Sequence, residues 1–162
     1  MHQMNLFECC RLRKRGINHL AQTVSEGRLV TLEGDTCIKI FDLVDIFNAK
    51  KLVCSFKTDS AIKCVHWAPE FGLMNTLLVL TESSAQIFVL NSSNADLALS
   101  VTHSKAKFAM WHECALPTFF LFYKSGFDVV RLRPIRDKIQ NLRPSVAHFK
   151  FRDSSTCIDC AC

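Results

Sequence analysis

The stretch LVTLEGDTCIKIFDL, residues 29–43, decides the fold. It begins with an apolar run, passes through the polar turn residues Glu33, Gly34 and Asp35, and ends with a second apolar run that closes on Leu43. Gly and Asp supply the backbone geometry of tight turns. The stretch therefore predicts a β-hairpin, in which two strands are joined by a short turn.

The same pattern occurs twice more along the chain. Residues 77–90 read LLVLTESSAQIFVL and residues 118–132 read TFFLFYKSGFDVVRL; each has an apolar strand, a polar turn and a second strand that ends in Leu. The closing residues Leu43, Leu90 and Leu132 are spaced by 47 and 42 residues. Four-stranded propeller blades repeat at about 40–45 residues with variable loops. We interpret the three hairpins as one structural unit used three times.

Each hairpin has strand-like neighbours. An apolar strand precedes it, and a strand of alternating apolar and polar residues, typical of a half-exposed outer strand, follows the first two. No segment shows the 3.6-residue period of an amphipathic helix. The preceding segments are 17–22, 62–69 and 108–117, and the following ones are 50–56 and 95–101.

The predicted fold class is all-β: an incomplete β-propeller of about three four-stranded antiparallel blades plus the start of a fourth. Central strands such as Leu77–Leu80 are apolar on both faces, so a neighbouring sheet must cover each face. An incomplete arc leaves an apolar blade face uncovered, which favours association. Such an arc is expected of a fragment, a short isoform or the first part of a longer protein. The expected units are a basic N-terminal segment at 1–16, blades near 17–57, 62–102 and 107–143, and the start of the next blade at 145–162.

Composition indicates a folded intracellular protein. The chain has 162 residues, of which 49% are hydrophobic, enough to bury a core. Its longest apolar run, Leu116–Tyr123, is too short to cross a bilayer. Nine cysteines, an odd number, occur without an export signal. These features favour reduced thiols and a cytoplasmic location, with the nucleus as the alternative.

The repeats resemble those of WD40-type propellers. Phe41-Asp42 stands where many such repeats carry Trp-Asp. The Gly-His that commonly opens these repeats is missing, and Val89 and Arg131 replace the Asp in the second and third units. The order of local signatures is most similar to the N-terminal propeller of the WD repeat and coiled-coil-containing protein family. The segments that carry this resemblance are RKRGINHLAQTV (13–24), IKCVHWAP (62–69), AMWHECALPTFF (109–120) and CIDCAC (157–162).

The family resemblance implies a non-enzymatic adaptor that self-associates and binds a Src-family tyrosine kinase through the SH3 domain of that kinase. In the family a proline-rich segment after the propeller makes the kinase contact. The four prolines of this chain never form the P-x-x-P spacing that such a ligand needs, and no heptad run for a coiled coil is present. The expected function is a protein-interaction scaffold, and the kinase contact is assigned to no residue here.

Four residues are predicted to make protein contacts. Trp67 and Trp111 occupy equivalent positions at the end of a first strand, which also predicts a recurring packing role. Arg133 and Arg136 lie in the basic run 131–143. Trp and Arg dominate interface energetics, so we expect these four side chains to be exposed anchors.

Two alternatives to the scaffold use other residues. Cys157, Cys160 and Cys162 could bind zinc or act as a redox pair with a further ligand such as His148, but they also fit an apolar entering strand, and we predict neither metal nor cofactor. The basic runs at 11–15 and 131–143 predict a nucleic-acid or acidic-lipid binding module as the alternative function, although they lack interleaved aromatic residues.

An enzyme is not expected. The carboxylates are scattered, and neither a nucleophile motif nor a glycine-rich phosphate loop is recognisable. A buried acid–base pair cannot be identified from such spacing. The expected partners are therefore other proteins, including a second copy of the chain.

Overall fold

The computed structural model describes residues 28–42, 51–68, 75–112, 117–135 and 138–151. Within these ranges the regular structure is entirely β-strand. No described helix is long and apolar enough to cross a membrane. The strands are β1 (Arg28–Glu33), β2 (Cys37–Asp42), β3 (Lys51–Lys57), β4 (Ile62–Trp67), β5 (Thr76–Thr81), β6 (Ser84–Leu90), β7 (Ala95–Thr102), β8 (Phe108–Trp111), β9 (Thr118–Tyr123), β10 (Gly126–Ile135) and β11 (Lys138–Lys150).

The strands form three antiparallel sheets in chain order. Sheet 1 contains β1–β3, sheet 2 contains β4–β7 and sheet 3 contains β8–β11, and sequential strands pair within each sheet. The all-β prediction and the repeated antiparallel units are confirmed. The strand predicted at residues 17–22 lies outside the described residues, so sheet 1 has three described strands.

Each hairpin turn uses different local chemistry. In sheet 1, Gly34 takes φ +66°, a left-handed conformation that glycine adopts without a steric penalty. In sheet 2, the Thr81 hydroxyl accepts a hydrogen bond from the Ser84 backbone N–H at 3.1 Å and donates one to the Ser84 carbonyl at 3.0 Å. The side chain of Thr81 thus holds the second turn closed without a glycine.

The third hairpin needs glycine for a spatial reason. Gly126 lies opposite Lys150 in β11, and a Cβ at Gly126 would fall far inside van der Waals contact with the carbonyl oxygen of Phe149. The absence of a side chain therefore allows β10 and β11 to approach at the start of their pairing.

Sheet 2 is covered on both faces by its neighbours. Every residue of β5 is buried, and alternate residues belong to different core clusters. Leu77 and Val79 pack with residues of sheet 1, whereas Leu78 and Leu80 pack with residues of sheet 3. Because successive side chains of a strand point to opposite faces, this division confirms the predicted stacking of one sheet on the next.

Corresponding strands of successive sheets lie beside each other. The first strands β4 and β8 are in contact, and the fourth strand β7 contacts both β3 and β11, the outer strands of the two neighbouring sheets. This arrangement is propeller-like. The three described sheets form an arc and do not close on themselves.

One strand assignment from the sequence is wrong. The sequence predicts that the next blade starts at residue 145, but β11 runs from Lys138 to Lys150 and completes sheet 3, with Val146 paired to Val130 and Phe149 to Phe127. The rings of Phe127 and Phe149 stack with centroids 5.1 Å apart, which favours this pairing. Most of the basic run 131–143 accordingly lies in β10 and β11. Residues 152–162 of the predicted next blade lie outside the described residues.

Candidate protein-interaction surface

The face of sheet 3 opposite the core shared with sheet 2 is lined with aromatic side chains, and at its β8 edge the Phe108 ring lies 5.2 Å from the His66 ring of sheet 2. The register pairs Phe108 with Phe122, Phe122 with Phe127, and Phe127 with Phe149, and directly paired residues share one face of a sheet. The alternating residues of β9 and β10 point the other way, into the core shared with sheet 2. We call this surface the open aromatic face; it consists of Phe108, Met110, Phe120, Phe122, Phe127, Val129 and Phe149.

The rings of the open aromatic face contact one another. Phe127 lies at the centre, with its ring centroid 6.1 Å from that of Phe120, 6.0 Å from Phe122 and 5.1 Å from Phe149. Neither core cluster includes these residues, and Phe149 is 47% exposed. Offset and tilted aromatic pairs at this spacing stabilise each other beyond the area they bury. The result is a preorganised apolar surface at the end of the arc.

The opposite end of the arc has different chemistry. On the outer face of sheet 1, the Lys39 ammonium lies 2.6 Å from the Glu33 carboxylate, and the Cys37 thiol lies 3.6 Å from the Ser55 hydroxyl. The hydrogen bond that Lys39 forms with Glu33 raises the pKa of the Lys39 ammonium. We call this the polar outer face after its ion pair; Phe41, two residues on from Lys39, shares the face and pairs with Leu52. Leu52, on the outer strand, is 49% exposed.

Trp67 and Trp111 are not exposed anchors. They are only 8% and 6% exposed, so the prediction of exposure is wrong. Each residue ends the first strand of its sheet and faces the preceding sheet: Trp67 packs against sheet 1 and Trp111 against sheet 2. The Trp111 indole Nε1 donates to the carbonyl of His66 at 3.3 Å, and its ring meets that of Phe119 at 74°. The shared position is thus a packing position between sheets.

The other predicted site residues give less information. The backbone of Arg133 pairs with Arg143 in sheet 3, while its side chain lies outside the described part of the chain, as do Arg136 and the three C-terminal cysteines Cys157, Cys160 and Cys162. Among the residues that the structure describes, no group of three or more His, Cys, Asp or Glu could hold a metal ion.

Two of the three described thiols belong to the packing of the sheets, and the third, that of Cys37, lies on the polar outer face. Cys54 is buried in the core between sheets 1 and 2, and burial raises the pKa of its thiol. The Cys64 thiol donates to the carbonyl of Ala109 at 3.6 Å, and burial raises its pKa to about 11. A thiol that stays protonated at neutral pH is a poor nucleophile and a poor metal ligand.

A second surface feature was not predicted from the sequence. A cavity of about 670 Å³ opens beside the β7–β8 connection, the β9–β10 turn and β11. We call it the rim pocket; its lining residues are Ser104, Lys105, Lys107, Tyr123, Lys124, Ser125, Asp128 and His148. These residues come from three separate segments, and no local motif marks them. Only the pairing of β10 with β11 brings His148 to the other seven.

Asp128 links two of the pocket side chains. The Tyr123 hydroxyl donates to Asp128 Oδ2 at 2.7 Å, and His148 Nδ1 contacts Asp128 Oδ1. Burial, together with the hydrogen bond to the carboxylate, raises the pKa of the Tyr123 hydroxyl. Tyr123 therefore acts as a hydrogen-bond donor rather than a base across the physiological pH range.

The chain was compared with protein-family models and with curated proteins. A scan against protein-family models finds none that matches the chain, and a search of curated proteins finds no match either.

Proposed function

We propose that the chain is a non-catalytic protein-interaction scaffold of WD-repeat type, and that the open aromatic face is its principal contact surface. The observation that supports the proposal is the group of mutually contacting phenylalanine rings outside both core clusters. Large exposed apolar patches on folded proteins mark interaction sites.

The chemistry of the face favours binding over catalysis. The defining side chains of the open aromatic face are phenylalanine, methionine and valine, none of which titrates or acts as a nucleophile. Aromatic side chains contribute much of the binding energy at protein interfaces because they bury a large area with few rotatable bonds. The rigid sheet holds their rings in a fixed arrangement, which reduces the entropy lost on binding.

The partner we propose is a second copy of the chain, bound through the same face. The polar outer face carries the Glu33–Lys39 ion pair, so a head-to-tail contact would place charges against phenylalanine rings. A two-fold contact instead places one open aromatic face on the other, and such self-complementary contacts are the commonest in homo-oligomers. Self-association is also what the resemblance to the WD repeat and coiled-coil-containing family implies.

The resemblance supports two further parts of the proposal. An adaptor of this family would work in the cytoplasm and would bring a Src-family kinase to its assembly. The kinase contact depends on a proline-rich segment, and we assign it to no residue of this chain. The self-association surface is the part that can be tested on the residues described.

The experiment compares two substitutions on opposite ends of the arc. Phe149 and Leu52 are exposed to 47% and 49%, so Phe149→Glu and Leu52→Glu place a carboxylate at matched exposure on the open aromatic face and on sheet 1. We expect the unmodified chain and Leu52→Glu to self-associate in sedimentation velocity runs. We expect Phe149→Glu to weaken self-association by about a hundredfold, because an unpaired charge is costly in an apolar interface.

Two results would contradict the proposal. A chain that stays monomeric at concentrations of about 100 μM would remove the second copy as partner. Equal loss of association in both variants would show that the open aromatic face is not the contact. Circular dichroism of the variants checks that both keep the strand content of the parent chain.

A further inference from the structure

The rim pocket has an excess of positive charge. Lys105, Lys107 and Lys124 all line it, and Asp128 is the only carboxylate in the lining. Within the described residues, Glu33 pairs with Lys39 and Asp128 contacts the His148 ring, and neither contact involves these three lysines. The pocket therefore presents three ammonium groups without a described counter-charge.

The carboxylate of the pocket is already engaged. One oxygen of Asp128 accepts the Tyr123 hydroxyl and the other contacts the His148 ring. Both contacts draw the negative charge of Asp128 toward these two partners. An anion that entered the pocket would consequently meet the lysines and the nearby hydroxyls of Ser104 and Ser125.

The loop that carries two of the lysines is fixed by a set of hydrogen bonds. The His103 backbone N–H donates to the Ser83 carbonyl at 3.1 Å, and the Lys107 N–H donates to the Phe122 carbonyl at 2.7 Å. The His103 ring accepts the Ala106 N–H at its Nδ1, 3.1 Å away, so its Nε2 donates to the Thr81 carbonyl at 3.2 Å. Burial lowers the pKa of His103, which keeps this neutral tautomer in place.

The backbone of this loop takes a conformation that few side chains adopt. Lys105 has φ +64°, in the left-handed region that favours glycine. Residues held in such conformations persist where their surroundings determine them, and they cluster at binding sites. The loop holds Lys105 and Lys107 beside the pocket before any ligand arrives.

The geometry points to a binding site for a phosphate group in the rim pocket. Lysine ammonium groups and serine hydroxyls are the donors that bind phosphate oxygens, and a preorganised cationic concavity concentrates anions. The cavity of about 670 Å³ leaves space for the group that bears the phosphate. This site lies on the other side of sheet 3 from the open aromatic face, and it does not depend on self-association.

The test uses the full chain with two probes, inorganic phosphate and a short phosphoserine peptide, and the unphosphorylated peptide as a negative control. Binding is followed by titration calorimetry and by the amide NMR signals of Lys107 and His148. We expect saturable binding of phosphate, of the phosphopeptide, or of both, and none of the unphosphorylated peptide. Whichever probe binds identifies the source of the phosphate.

Matched variants assign the binding to the pocket. Lys105→Gly removes a charge and suits the left-handed backbone, and Lys107→Ala removes a second charge. We expect each to weaken binding by about fivefold, as for the loss of one partly solvated charge-assisted hydrogen bond. Lys57→Ala, which removes an exposed lysine from sheet 1, should leave the affinity unchanged.

The proposal fails if neither phosphate-bearing probe saturates at millimolar concentration. It also fails if the Lys57 control weakens binding as much as the pocket variants do, since that result would indicate attraction to the overall charge alone. Unshifted amide signals at Lys107 and His148 during binding would likewise place the site elsewhere. Each of these outcomes leaves the self-association of the open aromatic face untouched.

Discussion

The two ends of the arc are built from the same kind of sheet but present opposite surfaces. At the sheet 1 end, Glu33 and Lys39 form an ion pair on the outer face. At the sheet 3 end, the rings of Phe122, Phe127 and Phe149 form a continuous aromatic row. In repeat architectures a polar outer face marks a capped end, and an apolar one marks a surface that takes another layer.

Sheet 2 shows the composition of a sheet that is covered on both faces, and sheet 3 can be compared with it. In sheet 2, both faces of β5 are buried because a sheet lies on each side. Sheet 3 has one face of this kind, with Phe119 and Leu121 in the core, and a second face that carries the open row of phenylalanine rings beside the exposed Arg131. The two ends therefore differ in the composition of their outer faces. In the described residues, that of sheet 1 combines an ion pair with the Phe41–Leu52 pair, whereas that of sheet 3 carries a row of phenylalanine rings.

The largest expected effect on stability is the difference between substitutions on the two faces of β9. Phe119 is fully buried between sheets 2 and 3, and its neighbour Phe120 lies on the open aromatic face. We expect Phe119→Ala to lower the free energy of unfolding by about 3–5 kcal/mol through cavity formation. Phe120→Ala should lower it by only about 1 kcal/mol, because its ring is already partly in water.

Urea titration measures both values. The measurement is made in the Phe149→Glu background, so that self-association does not contribute to stability. Equal losses from the two substitutions would mean that the open aromatic face is covered in solution within a single chain. In that case sheet 3 would not present an open apolar face, and the proposed difference between the outer faces of sheets 1 and 3 would be wrong.

The sequence predicted the hairpins and the apolar cover of the central strands, because turn residues and alternation are local signals. It did not predict where β11 belongs. Residues 145–151 alternate in the same way in an outer strand as in an entering one, and only the pairing of Phe149 with Phe127 distinguishes the two. The sequence also did not predict that the side chains of Trp67 and Trp111 are buried, since their burial depends on packing against the preceding sheet. The rim pocket joins segments far apart in sequence, so no motif could reveal it.

The hairpins of sheets 1 and 3 give the next test. Gly126→Ala should lower the free energy of unfolding by about 2–4 kcal/mol, because the added methyl meets the Phe149 carbonyl and forces β10 and β11 apart. Gly34→Ala has open space around the added Cβ and meets only the left-handed backbone penalty, which costs about 1 kcal/mol. Thermal unfolding of the two variants gives the ranking, and the reverse order would show that β11 does not pair with β10 as described.

The smallest expected effect concerns pH and distinguishes the two junctions between sheets. His66 and His103 lie in sheet 2 and in its connection to sheet 3, and burial lowers the pKa of both below the ordinary value of 6.5. Lys63, whose ammonium donates to the Ala106 carbonyl, lowers the pKa of His103 further. The described part of sheet 1 contains no histidine. Protonation should therefore weaken the junction of sheets 2 and 3 and spare that of sheets 1 and 2.

The direction of this pH effect follows from proton binding. Between the lowered folded-state pKa and 6.5, the unfolded chain binds more protons than the folded chain, so stability decreases as pH falls below 6.5 and levels off below the folded-state pKa. Amide hydrogen exchange at pH 7.5 and 5.5, corrected for intrinsic rates, should show lost protection in β8 and β9 before β1 and β2. In His66→Leu the loss should be smaller, because one of the two histidines with a lowered pKa is gone. Uniform loss across all three sheets would instead place the acid-sensitive groups outside this junction.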